Sequence, residues 1–344
     1  MAEILRQRCD YWNQSNKRIE TGMGEVYDNG GIQVKDVAHC SLCLLKGDTV
    51  YDNLVDRLFG VSGTWNFMRC PRCALIWITP CPVAEDIEKL YTKYYTHEDV
   101  PVRGPVHGVN AYIEKIHSFL RLLDRGLKTY LDGSKPGSLL DVGCGNGDFL
   151  FQMKNRHWEV TGVDSDPGAV QFARQQYGLN VLQGNVMNVH LPSDSFDAIT
   201  MNHVIEHVAD PIDVLNECKR LLKDDGIILI ATPNSKSLGS KIFESTWVHW
   251  DPPRHLFVFS AETLSICAER SGLRILDVRT NINDAGLIYR ASSVIRRQNK
   301  VSIADVNSLP CYDNIKAILF VLAEYLLLRT RRHSGEELIM KLGK

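Results

Sequence analysis

Three groups of residues in this 344-residue chain have the types and spacing to do chemistry. The first is Leu139-Leu140-Asp141-Val142-Gly143-Cys144-Gly145-Asn146-Gly147-Asp148, a short apolar strand running into a glycine-rich turn, with a helix expected directly after. Such a turn lets main-chain N–H groups and a helix N-terminus approach a bound molecule without Cβ interference. Twenty-one residues beyond Gly143, Asp164 ends a second strand pattern built on Val160, Gly162 and Val163. An acid so placed can take both hydroxyls of a ribose. The second group is a pair of Cys-x-x-Cys turns, Cys40/Cys43 and Cys70/Cys73, separated by 26 residues. Each turn brings two sulfurs to one ion, and two turns complete a tetrahedral shell of four thiolates around zinc. The third is His203-Val204-Ile205-Glu206-His207, whose imidazoles could accept a proton near neutral pH.

The elements that must position these groups are legible in the pattern. Strands are expected at 138–142, 159–163, 179–182, 197–202 and 226–231, with helices near 147–156, 167–177 and 211–222. Asp166-Pro167 and Asp210-Pro211 each place an acid at the N-cap and proline at N1. A helix capped by Ser260 and a strand at 273–279 continue the alternation, which predicts a doubly wound, Rossmann-like parallel sheet. Upstream, Trp65, Phe67, Leu75 and Trp77 alternate around the second cysteine pair as the strands of a zinc ribbon would. Zinc there is read as structural, folding a module too small to hold itself together. Cys9, Cys81, Cys144, Cys218, Cys267 and Cys311 lack such partners, and most of them are expected to be buried small hydrophobes.

A formal net charge of −2 argues against a general nucleic-acid binder, which leans on clustered Lys and Arg. The first residues lack the apolar segment of a secretion signal, and no window reaches the roughly 20 apolar residues of a spanning helix. A cytoplasmic, reducing setting is therefore expected, where paired cysteines more often mean metal than disulfide.

The glycine turn first admits two cofactor classes, dinucleotides and S-adenosylmethionine. A dinucleotide fingerprint would want glycine at position 148, which is Asp; the glycine stands at 147. Asp141 at the strand end suits the ammonium of a methionine moiety better than a pyrophosphate. With Gly162-Val163-Asp164-Ser165-Asp166-Pro167, Ser195-Phe196-Asp197-Ala198-Ile199, His203 to Pro211 and Leu221 to Asn234, the segment resembles a class I S-adenosylmethionine-dependent methyltransferase. The similarity is to the group of ubiquinone-type O-methyltransferases. The upstream cysteine pairs, followed by Leu90 to Tyr95, are similar to relatives with an N-terminal zinc ribbon.

The resemblance implies Asp141, Gly143 and Gly145 around the methionine end of the cofactor, Asp164 on the ribose and Ser165 beside the adenine. Asn185 stands where the family commonly has Asp at the adenine amine, and Asn202 and His203 would face the transferring methyl group. The pattern along the chain divides it into an N-terminal segment (1–36), a zinc-ribbon-like module (37–82), a helical linker (83–132), the cofactor-binding core (133–283), a helical insertion (284–334) and a final strand (335–344). His207 and His255 are the candidate general bases, or else hydrogen-bonded loop residues. Family members with a divalent ion here use an additional Glu earlier in the loop, where this chain has Asn202 or His203. His203 to His207 also fits His-x-x-Glu-His, an inverted zinc-peptidase pattern that needs both histidines on one helix face.

The expected activity is methyl transfer to a small-molecule, sugar or lipid-linked acceptor, O-methylation favoured and C- or N-transfer open. The competing reading is a catalytically silent cofactor-binding adaptor with the ribbon as its docking module. Trp247, Trp250, Arg254 and His255 follow the fifth strand, where parallel sheets open their crevice; the tryptophans are expected to wall a substrate and Arg254 to hold an anionic group, the alternative being a packed surface loop whose aromatics cover the sheet edge. The apolar run 317–328, followed by Arg329, Arg331 and Arg332, reads as a core helix, a dimer face or a peripheral membrane contact.

Overall fold

The computed structural model describes residues 25–91, 131, 134–331 and 333–344. Most of the expected 83–132 linker, residues 1–24 of the N-terminal segment and Cys9 lie outside the described residues.

The central sheet is built on the alternation seen in the sequence. β7 (Ser138–Val142), β8 (Glu159–Asp164), β9 (Asn180–Gln183), β10 (Phe196–Asn202) and β11 (Leu222–Pro233) run parallel, and β13 (Arg274–Asn281) and β14 (Glu337–Gly343) complete it. Their spatial order is β13-β14-β11-β10-β7-β8-β9, with β14 antiparallel to both neighbours. Alternate residues serve opposite faces. Leu139, Ala198 and Leu229 pack with α1 (Asp148–Lys154) and α2 (Pro167–Tyr177). Leu140, Ile199 and Ile228 pack with α3 (Pro211–Leu221). A sheet buried on both faces needs such continuous apolar strands. The strand order reverses between β7 and β10, the switch point where open α/β sheets bind ligands.

The caps behave as their chemistry requires. Asp166 Oδ1 accepts from the Gly168 and Ala169 amides, and Asp210 Oδ1 from those of Ile212 and Asp213. Strand β11 begins at Leu222, earlier than the expected 226, because its first residue pairs with Phe196 before a register shift around Asp224-Asp225-Gly226.

The N-terminal strands β1 (Tyr27–Asp28), β2 (Gln33–Lys35), β3 (Asp48–Leu54), β4 (Trp65–Arg69), β5 (Ile76–Thr79) and β6 (Cys81–Pro82) form two small sheets. One of them continues into the core. β12 (Phe257–Val258), from the loop after β11, pairs antiparallel with β5 to give the order β12-β5-β4-β3. Trp65, Phe67 and Ile78 share an apolar cluster with Trp247, Trp250 and Val258. Hydrogen bonds and packing thus cross residue 82.

After β11 come α4 (Leu238–Phe243) and α5 (Ala261–Arg270); between β13 and β14 lie α6 (Ala285–Gln298), α7 (Ile303–Asn307) and α8 (Cys311–Thr330). These three are the expected helical insertion before the last strand. Cys144, Cys218 and Cys267 are buried and Cys81 is half-buried; Cys311 at the start of α8 is exposed, since it sits in the first turn of a helix whose packed side is turned away from it.

Candidate functional site

Three glycines in the left-handed region, Gly143, Gly145 and Gly147, shape the turn between β7 and α1. A Cβ at Gly143 would lie 2.5 Å from Val204 Cγ2, so the loop carrying the histidines rests directly on the turn. A Cβ at Gly145 would meet nothing within 4 Å. That open side is where a ligand has room. Asp164, at the end of β8, braces the turn: its Oδ2 accepts the Gly145 amide at 2.7 Å and its Oδ1 the Asp166 amide at 2.9 Å. A carboxylate oxygen can accept more than one hydrogen bond, so the brace is compatible with a further hydroxyl donor.

Asp141 is 4% exposed and accepts a hydrogen bond from Thr200 Oγ1 at 2.6 Å, across the β7–β10 switch point. Burial raises its pKa to about 7; the Thr200 hydrogen bond opposes the rise and the charge of Asp164 adds to it. A buried acid so destabilised as an anion gains from a cationic neighbour. An ammonium supplies that charge. Ser165 and Asn185 are exposed, and Asn185 Oδ1 already accepts the Met187 and Asn188 amides. Asn202 is exposed at the end of β10.

His203 follows with φ 54°, and residues 205–207 form a turn instead of a helix. The two histidines of the His-x-x-Glu-His pattern therefore share no helix face, and the peptidase arrangement is not formed. His203 Nδ1 bonds Glu206 Oε1 at 3.1 Å and Nε2 bonds Glu337 Oε1 at 3.0 Å. Burial works against its charged form, yet the two carboxylates hold its pKa well above the ordinary value. Glu206 is fully buried, which raises its pKa; the hydrogen bond to His203 together with the charges of His203, His207 and His255 more than reverses this and leaves it at about 2. Thr232 Oγ1 donates to its other oxygen at 2.9 Å.

His207 Nδ1 donates to the Arg254 carbonyl at 3.0 Å, and His255 Nδ1 to the His249 carbonyl at 2.7 Å. In its neutral form His207 thereby presents Nε2 as the acceptor nitrogen. Burial, then the charge of His255, lowers the His207 pKa to about 4, so this imidazole is neutral at pH 7. Glu206, His207 and His255 place one ligand atom each within 4.8 Å of one another. A third donor thus comes from His255, on the loop after β11, and not from the neighbourhood of Asn202.

The loop after β11 is a correction. Trp247 and Trp250 are 1% and 2% exposed and wall no substrate; their indole N–H groups donate to Glu336 Oε2 and the Glu244 carbonyl. Arg254 holds no free anion. It is buried between Asp56 and Asp251, bonding Asp56 at 2.7 and 2.8 Å and stacking over the Phe59 ring. Burial pushes the Asp56 pKa up, but Arg254 pulls it below the usual carboxylate value. Sequence reasoning missed Asp56, Thr200 and Glu337, because each meets its partner only through strand order or long-range packing.

In the ribbon, two matching knuckles face each other. Leu44 and Ala74 take left-handed φ; Leu44 and Ala74 amides bond the Cys40 and Cys70 carbonyls, and Cys40 and Cys70 amides bond those of Leu45 and Leu75. The four sulfurs lie within 4.8 Å, with Cys40 and Cys73 Sγ at 3.6 Å. A tetrahedron with Zn–S bonds of about 2.3 Å has S–S edges of about 3.8 Å. The cluster fits such an ion.

Residues 112–278 match a family described as a methyltransferase domain, and the glycine turn and the acids on β7 and β8 lie within that segment. The chain is 32% identical over 135 residues to a ubiquinone biosynthesis O-methyltransferase of Haemophilus ducreyi, covering 36% of this chain and 57% of that protein. It is 29% identical over 175 residues to a probable S-adenosylmethionine-dependent methyltransferase of Mycolicibacterium smegmatis, covering 48% of this chain and 65% of that protein. The chain thus spans less than two thirds of either relative. Among solved structures, geranyl diphosphate C-methyltransferase from Streptomyces coelicolor A3(2) superposes with a TM-score of 0.49 at 17% identity, covering 76% of this chain and 98% of that one.

Proposed function

We propose that this chain is an S-adenosylmethionine-dependent methyltransferase acting on a hydroxyl of a small-molecule or lipid-linked acceptor, with a structural zinc ion held by Cys40, Cys43, Cys70 and Cys73. The observation that carries the reading is the turn itself: Gly145 open on its outer side, with Asp164 beneath it and buried Asp141 beside it. The O-methylating character of the Haemophilus ducreyi relative supports a hydroxyl acceptor.

When bound, the cofactor supplies an electrophilic methyl group on a sulfonium. The chain's own residues do the rest. Asp141 meets the ammonium, Gly143 and Gly145 line the methionine end, and Asp164 takes the ribose hydroxyls. Ser165 lies toward the adenine; Asn185 offers its amide there only by sharing an oxygen already used in its turn. His203, clamped by Glu206 and Glu337, and Asn202 flank the reacting centre. His207, neutral with Nε2 as acceptor, takes the acceptor's proton; His255 beside it, rings 4.7 Å apart, is the reserve base. Alignment and water exclusion supply most of the rate. The thiol-rich ribbon suits a reducing cytoplasm.

Calorimetry with S-adenosylmethionine tests the reading. One site per chain is expected, with no heat from NAD; silence with S-adenosylmethionine defeats it.

A further inference from the structure

Helix α8 is apolar on two sides. Inward, Ala317, Phe320 and Val321 are buried, the last two packing with Ile282 and with Ala285 of the insertion. Outward, Tyr312, Ile315, Leu319, Leu322 and Leu326 recur at three- and four-residue intervals and are 52, 49, 59, 38 and 65% exposed. Three- and four-residue steps place them in one line along the helix, running about 20 Å at 1.5 Å per residue. Exposed apolar side chains scattered singly need no explanation, but a continuous line of five marks a contact surface.

The charges around the line have one sign. The two acids of α8, Asp313 and Glu324, are 4% and 0% exposed on its packed side. The exposed charged residues described on the helix and its end are Lys316, Arg329 and Arg331. Lys316 lies over the Tyr312 ring and Arg329 over that of Tyr325, amphipathic pairs of the kind that sit at a lipid–water boundary. Residues 285–334 carry eight Lys and Arg against three Asp and Glu, in a chain whose formal net charge is −2. The insertion is thus more basic than the chain as a whole.

We propose that this face of α8 docks on an anionic phospholipid surface, the helix lying in the plane of the interface. Acyl chains would cover the Leu319–Leu326 line, and headgroup phosphates would meet Lys316, Arg329 and Arg331. A second copy of the chain satisfies the apolar line but not the charges, since two such faces bring basic groups together with no exposed acid of α8 to offset them. The docking is peripheral: among the described residues no helix is long and apolar enough to cross a membrane. It stands independently of which acceptor is methylated.

The test is co-sedimentation of the full chain with vesicles of phosphatidylcholine alone or mixed with phosphatidylglycerol. Binding is expected only to the anionic vesicles and is expected to weaken in high salt. The double variant Leu319→Glu/Leu326→Glu should lower the bound fraction about tenfold or more with an unchanged melting temperature, and Lys316→Glu/Arg329→Glu should do the same. Three results overturn the proposal. One is no binding by the wild type. Another is a wild-type dimer that Leu319→Glu converts to monomer without any vesicle binding, which assigns the face to a second copy. The third is a fall in melting temperature in the leucine variants with no vesicle binding, which assigns it to another segment of this chain. S-adenosylmethionine calorimetry on the same variants reads the cofactor site separately.

Discussion

The glycine turn and the histidine cluster sit at the ends of adjacent strands, β7 and β10, yet they are built on opposite plans. The bonds that shape the turn are short in sequence: Gly143 to Val163, Gly145 to Asp164 nineteen residues away. The cluster is held by long-range bonds. His207 reaches Arg254 across 47 positions, His203 reaches Glu337 across 134, and Arg254 reaches Asp56 across 198. The turn leaves an open side at Gly145; the cluster ties His203, His207 and His255 to a carbonyl or carboxylate of the chain. In the proposed mechanism cofactor binding would therefore rest on local structure, whereas proton handling would rest on the ribbon and the last strand being docked.

That contrast can be broken at the ribbon first. Cys70→Ser should remove the zinc, unfold the knuckles and release β5 from β12, a loss of folding visible in circular dichroism. Zinc analysis of the wild type should give one ion per chain; two would make Glu206, His207 and His255 a metal centre as well. Arg254→Met comes next. It leaves Asp56 and Asp251 buried without their cation, and a cost of about 3–5 kcal/mol is expected in urea unfolding. Cofactor affinity of the folded variant should be unchanged, since the turn does not touch Arg254; a large loss would show that the two regions are not separable.

On the turn itself, Asp164→Ala should weaken S-adenosylmethionine about ten- to a hundredfold by calorimetry, through the ribose contacts and the lost brace on Gly145. Unchanged affinity would remove Asp164 from the site. The smallest effect is expected from Asp141→Asn. Because the folded pKa is about 7, above the ordinary 3.8, the folded chain holds a proton that the unfolded chain releases between those values. The wild type therefore loses this contribution as pH rises from about 4 to about 7. The Asn variant should escape that loss and melt a few degrees higher at pH 8, while binding the cofactor about tenfold more weakly. Wild-type affinity should fall as pH drops below about 7. A variant that melts lower at pH 8 would contradict the buried-acid account.

Legibility followed the same division. The parallel strands, the capped helices at Asp166 and Asp210, the four-cysteine cluster and the turn with its two acids were all readable, since each depends on spacing or on residues a few positions apart. The loop at 247–257 was not. Its tryptophans and Arg254 have the composition of a substrate wall, and only the position of Asp56 beneath the guanidinium shows that they are packed against the ribbon.

The amino-acid sequence by itself determined the strand-turn-helix unit, its acids and the cysteine knuckles, because backbone conformation, capping and residue spacing are local properties of the chain. Tertiary structure alone decided the partners of Asp141, His203 and Arg254, and which face of α8 stays exposed. Those depend on which distant elements meet, and pairing energies between buried groups have no signature in the order of residues.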